Sequence, residues 1–208
     1  MDAGEISEQG FINDIDRRGF TPEQSFLEII ANAIDADANK IRFVTNEETY
    51  LKIIDNGNGM NQQKLIDMWN MLHQNHNNGH IVKGISGLGA KAATKILSLN
   101  GKVIVYTCNN NNYIKSITPW NKIQEDGKYS GMIKISDMDQ QEIDNFKDDR
   151  QNNDDENGTT IYIETSNIEQ LTDILNNNFD DEKRKGLEKN MRFDTVFGKC
   201  NCAFEYKK

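Results

Sequence analysis

The chain has 208 residues, 36% hydrophobic and 27% charged, with 24 Lys+Arg against 33 Asp+Glu and a formal net charge of −9. A globular domain of this size buries roughly 70% of the surface its unfolded form exposes, and the composition excludes a disordered chain. No apolar run approaches the roughly 18 residues a membrane span needs, so no membrane partner is expected. The acidic balance argues against a nucleic-acid-coating module, whose footprint is a basic face. It also means that a polyphosphate must be held by local backbone donors, a lysine or a metal. Met1-Asp2-Ala3-Gly4-Glu5 lacks a signal-peptide pattern, so an intracellular location, cytoplasmic or nuclear, is expected. Cys108, Cys200 and Cys202 are odd in number and two form C-x-C; free, mostly buried thiols are expected in place of a disulfide framework.

In chain order, residues 1–20 carry apolar Ile6, Phe11 and Ile12 and read as an N-terminal arm. Thr21-Pro22-Glu23-Gln24 is a helix start, with Thr as N-cap, Pro at the first helical position and Gln three on; this helix is predicted to run to about Asp37. Ile41–Thr45 and Tyr50–Asp55 read as a hairpin. A helix near Gln62–Leu72, a polar loop His73–His80, a glycine-rich turn Gly84–Gly89 and a helix Ala90–Ser98 follow. Strands are predicted at Lys102–Thr107, Tyr113–Thr118, Met132–Ile135 and Thr159–Glu164, then a helix near Ile168–Asn176 and a strand Cys202–Tyr206. The asparagine runs Asn109–Asn112 and Asn176–Asn178 look like loop tips, and the polar stretch 147–157 like a flexible insertion. Strands and helices do not strictly alternate, which favours a mixed sheet with helices on one face.

Four short segments carry chemistry. On the first long helix Glu28, Asn32 and Asp35 stand at i, i+4 and i+7 and share one stripe. There a Glu can poise a water and an Asn can offer its carbonyl to a hard cation such as Mg²⁺. The plain alternative is a solvated helix face. Ile53-Ile54-Asp55-Asn56-Gly57-Asn58-Gly59-Met60 is an apolar strand ending in a carboxylate and a free-backbone turn. Gly84-Ile85-Ser86-Gly87-Leu88-Gly89-Ala90-Lys91 leads into a helix, which in principle cradles phosphate. It is neither a Rossmann nor a P-loop signature. Gly158-Thr159 opens a strand.

In this order the segments resemble the GHKL ATPases, the superfamily of gyrase B subunits, ninety-kilodalton heat-shock chaperones, sensor histidine kinases, MutL and MORC proteins. The motifs are Glu28-x-x-x-Asn32-Ala33-x-Asp35-Ala36, Asp55-x-Gly57-x-Gly59-Met60, Gly87-x-Gly89-Ala90-Lys91 and Gly158-Thr159. The likeness covers about Gly19 to Tyr206, and the lead-in Gly19–Gln24 looks closest to the MORC-like branch. It implies an α+β fold, a two-layer sandwich with a mostly antiparallel mixed sheet covered by helices on one face (Bergerat-type). Residues 21–208 would be the ATP-binding domain, with a lid at about 73–90.

The resemblance also implies ATP or ADP and Mg²⁺ as ligands. Glu28 would orient the attacking water and Asn32 would hold Mg²⁺. Asp55 would bind the adenine amine, with Thr159 in a water-linked network. Gly57, Gly59 and Met60 would wall the adenine pocket, and Gly84, Gly87, Leu88, Gly89, Ala90 and Lys91 would lie along the triphosphate. Asp35 and Ala36 complete the expected nucleotide contacts. A nucleotide-dependent homodimer and a further domain or partner protein are expected, with DNA reached only through other regions. In several relatives a second domain delivers a basic residue to the γ-phosphate; with the chain ending at Lys208, it is expected to be a fragment of a longer protein or to receive that domain in trans, and slow hydrolysis is expected. A non-catalytic nucleotide sensor, or a kinase-type phosphotransfer domain, is the alternative. His73, His76 and His80 are weighed as zinc ligands and set aside, Trp69 and Trp120 are read as packing residues, and Lys183-Arg184-Lys185 as a solvated face.

Overall fold

The computed structural model describes residues 7–46, 49–71, 88–150, 156–179 and 201–206. Its elements are α1 Glu8–Arg17, α2 Pro22–Asp35, β1 Lys40–Thr45, β2 Tyr50–Asp55, α3 Gln62–Trp69, α4 Gly89–Ser98, β3 Lys102–Asn109 and β4 Asn112–Pro119. There follow α5 Trp120–Asp126, β5 Lys134–Asp137, α6 Gln140–Asp148, β6 Gly158–Glu164, α7 Ile168–Phe179 and β7 Asn201–Tyr206.

Local chemistry sets the ends. Thr21 accepts from the Gln24 N–H while the Gln24 side chain accepts from the Thr21 N–H, a closed capping box with Pro22 behind it. That is the start the sequence dictates. Asn61 caps α3 by accepting from the Lys64 N–H at 2.9 Å. Asn110 and Asn111 both adopt left-handed backbone (φ 51° and 61°) and turn β3 into β4. This is the turn that matches strand twist in a tight hairpin.

The strands form one sheet of seven in the order β5-β4-β3-β6-β2-β1-β7. Neighbours are antiparallel except β7, which runs parallel to β1. Alternation then decides the layers. Ile41, Phe43, Leu51, Ile53, Val103, Val105, Ile114, Ile161 and Ile163 point to one face and pack against apolar residues of α1, α2, α3, α4, α5 and α7. Trp69 and Trp120 meet edge to face at 6.1 Å within this core, so both are packing residues.

The sheet and its helical face agree with expectation, and three helices are additions to it. Phe11, Ile12 and Ile15 place α1 in the core, where Asp16 pairs with Lys95 of α4 at 2.5 Å. α5 follows β4 directly. α6 lies on the opposite face, against Tyr106, Cys108 and Tyr113, so the expectation of helices on one face is corrected at this point. Residues 147–150, expected within a flexible insertion, close α6, and Asp149 and Arg150 are buried; residues 151–155 lie outside the described residues. Asn176–Asn178 lie within α7 and not at a loop tip. β5 begins two residues later than predicted because a turn precedes it, with the Met132 N–H on the Tyr129 carbonyl at 3.2 Å.

Candidate functional site

Asp55 is the last residue of β2. The antiparallel register sets it opposite Thr159 of β6, and Thr159 opposite Thr107 of β3. Three polar residues from three adjacent strands therefore stand in one row, at the end of the core face. The Gly57 N–H donates to Asp55 Oδ1 at 2.9 Å, and the Thr159 N–H reaches the same oxygen at 3.2 Å. Thr107 Oγ1 donates to the Gly158 carbonyl at 3.0 Å, accepts the Met60 N–H at 2.8 Å and lies 3.4 Å from Thr159 Oγ1. Burial pushes the Asp55 carboxyl upward, opposed by these two N–H donors and by the positive charge of Arg150. Burial raises a carboxyl by disfavouring its charged form, and such shifts cluster at functional sites.

The turn after Asp55 is folded down on two sides. The Asn58 N–H donates to the Ala36 carbonyl at 2.7 Å, and Asn109 Nδ2 donates to the Asn58 carbonyl at 2.7 Å. Gly59 has φ +64°, and a Cβ there would overlap the Cys108 carbonyl. Only glycine meets both conditions. Ala36 thus acts through its main chain, holding the turn, while Asp35 is exposed at the end of α2.

The second half of the site lies where α2 meets α4. Glu28 is half-buried and Asn32, one turn on, is exposed. A Cβ added to Gly89 would overlap the Glu28 carboxylate, so the missing side chain is what lets α4 approach. Leu88 caps α4 without a side-chain hydrogen bond, which leaves its first-turn N–H groups, and the positive end of its dipole, for another acceptor. Leu88 and Ala90 are half-buried beside this contact.

Lys91 stands apart from these. It is fully buried, and at 100° per residue it leaves α4 about 200° around from Gly89. Burial lowers its ammonium to about 8. With the folded value below the unfolded one, stability rises as pH climbs from about 8 to about 10.5. Lys91→Met is expected to abolish that rise, read from urea melts at pH 7.0 and 9.5. Above pH 10 the trend reverses, because burial raises Tyr106 to about 12 and Tyr129 further still.

Gly84, Gly87 and most of the expected lid, with His73, His76 and His80, lie outside the described residues. Among those described, no group of three His, Cys, Asp or Glu is placed to hold a metal, and no helix is long and apolar enough to cross a membrane. Cys108 is a buried free thiol. Sequence reasoning missed Thr107 and Arg150. Thr107 had no motif to mark it; only the β3–β6 register does.

The family model for histidine kinase-, DNA gyrase B- and HSP90-like ATPases matches residues 20–159, about two thirds of the chain. The chain belongs to this family. The match opens at the α2 lead-in and closes on Thr159, so it spans both halves of the site. Family membership implies ATP binding, and the α+β sheet is the architecture of the GHKL ATP-binding domain. No curated protein matches the chain significantly.

Proposed function

We propose that the chain binds ATP or ADP with Mg²⁺, hydrolyses ATP slowly, and uses that cycle to gate a dimer or clamp in a larger machine. The observation that carries this is the Asp55 row. Two backbone donors occupy Oδ1, so the carboxylate is fixed with its other oxygen available to accept from an exocyclic amine. Gly57, Gly59, Met60 and Thr159 line that position, with Thr107 tying Met60 to β6.

The phosphate end fits the same ligand. Gly89, with no side chain, lets the uncapped start of α4 lie against the Glu28 carboxylate, which a Cβ would overlap. An exposed amide such as Asn32 suits Mg²⁺, which keeps several waters and takes one or two protein ligands beside substrate phosphates. When bound, that ion neutralises phosphate charge. Glu28 orients the attacking water, Gly87, Leu88, Gly89 and Ala90 lie along the phosphates, and a lid at about 73–90 covers them. The lead-in Gly19–Gln24 supports the MORC-like branch, and a dimer would form by exchange of residues 1–20, whose α1 packs on the chain's own core in the monomer. Within the cell, its partners are a second copy and a further domain or protein.

Isothermal titration of a non-hydrolysable ATP analogue tests the reading. Saturable binding that is lost in EDTA is expected, and no binding at millimolar analogue overturns it. Turnover is expected well below the typical enzyme value of about 10 per second. Gly89→Ala separates the two halves. Alanine is the better helix former by about 1 kcal/mol, so the thermal midpoint holds, while the displaced Glu28 carboxylate costs at least about 10-fold in phosphate release.

A further inference from the structure

Arg150 sits at the end of α6, on the face of the sheet opposite the nucleotide site, and is only 5% exposed. Its guanidinium donates through Nη2 to the Asp55 carbonyl at 3.2 Å, and through Nη1 to Thr160 Oγ1 at 3.1 Å and the Phe146 carbonyl at 3.0 Å. Its carbon lies 3.4 Å from the centre of the Phe146 ring. The neighbouring Asp149 accepts from Lys52 of β2 at 2.7 Å, and its carbonyl accepts from Arg42 of β1 at 2.5 Å. The end of α6 is thereby fastened to β1, β2 and β6, directly behind the row that carries Asp55.

We propose that Arg150 is a positioning residue for Asp55: from the reverse face it fixes the end of β2 and holds a positive charge behind the carboxylate. It touches neither the adenine position nor the phosphates, and it acts through Asp55. The geometry requires an arginine. One planar fork serves three oxygens while stacking on a ring, which a lysine ammonium cannot do. A buried guanidinium is also costly unless its donors are matched; here Nη1 and Nη2 both donate, and one of their bonds goes to the main chain of the site strand.

The electrostatics agree. Of the charged groups on the elements around Asp55, Arg150 is the one that pulls its carboxyl down against burial. Asp35 and Asp37 at the end of α2, Lys40 on β1, Lys52 on β2, Cys108 on β3 and Glu156 before β6 exert no such pull. A nearby opposite charge favours the ionised carboxylate, and here it acts against burial.

The inference deepens the nucleotide reading, yet its test does not need nucleotide. The Asp55 side-chain carboxyl carbon is followed by NMR through a pH titration of the free protein, in wild type, Arg150→Met and Arg150→Lys, with thermal melts as a check on folding. The midpoint is expected to rise by about one unit in Arg150→Met and by a smaller step in Arg150→Lys. Analogue affinity should then fall along the same shifted profile. An unchanged Asp55 midpoint in the folded variants overturns the proposal; should Arg150→Met not fold, Arg150→Lys alone decides it. A shifted midpoint with no analogue binding in any variant upholds the Arg150–Asp55 coupling and overturns the ATP reading instead.

Discussion

Asp55→Asn is expected to abolish nucleotide binding and leave the fold intact or slightly more stable. The two changes have opposite signs for one reason. Asn keeps an oxygen to accept the Gly57 and Thr159 N–H groups at Oδ1, so the strand end retains its internal bonds. The second oxygen, however, becomes an amide NH₂. A donor then faces the donor of the adenine amine, and both are left unpaired in a site that excludes water. Loss of a charge-assisted bond with an unpaired donor in its place costs about 3 kcal/mol or more, which is at least about 100-fold in affinity.

The stability side follows from the raised Asp55 carboxyl. A folded value above the unfolded one means that the stabilising share is present at low pH and is lost as pH rises through the folded value. Above the unfolded value the raised carboxyl is therefore a burden on the free protein, and asparagine removes it. Titration calorimetry against the analogue, paired with thermal melts of both proteins at pH 7, checks the two together. A variant that binds normally would mean that Asp55 is not the adenine acceptor. A variant that loses binding only because it unfolds would mean that the carboxylate is structural.

The half of the site that could be read from the sequence is the half written in consecutive residues. Asp55-Asn56-Gly57-Asn58-Gly59 announces a strand end and a turn, and Glu28 with Asn32 announces a shared helix face. Thr107 and Arg150 could not be read, because their meaning lies in partners far along the chain. Thr107 meets Thr159 across 52 positions, and Arg150 reaches Asp55 across 95. No local pattern encodes a register between strands so distant. The stretch 147–157 looked like solvent-facing polar sequence, yet Asp149 and Arg150 are buried because β1 and β2 supply Arg42, Lys52 and a strand-end carbonyl to match them.

The helices divide along a similar line. α2 was legible from its capping box and Pro22. α6 carries an equally closed box, Asp139 with Glu142, and was missed because its apolar face is nearly reduced to Ile143 and Phe146. Lys91, adjacent to a glycine-rich turn, reads as a phosphate ligand in the sequence; its full burial on α4 could not be read there, because it depends on what packs against the helix.

Glu28→Gln is expected to stop hydrolysis while sparing binding. Glutamine has the same shape, so it keeps the close approach to Gly89 that the absent Cβ allows. Among the described residues the Glu28 carboxylate makes no hydrogen bond, so removing its charge breaks no internal contact and leaves the α2–α4 packing as it was. What is lost is the acceptor that orients and deprotonates a water. Positioned proton acceptors contribute about 10²- to 10⁴-fold to rate, and phosphoryl transfer leans on such positioning because it offers the protein little covalent chemistry. Single-turnover phosphate release should therefore fall at least about 100-fold. Analogue affinity should stay within about threefold, since an interaction made only in the transition state leaves ground-state binding untouched. Equal turnover in wild type and variant, at any rate above the uncatalysed background, would remove Glu28 from the reaction. Equal and absent turnover, with binding intact, would make the domain a nucleotide sensor whose conformational response, and not its chemistry, is its output.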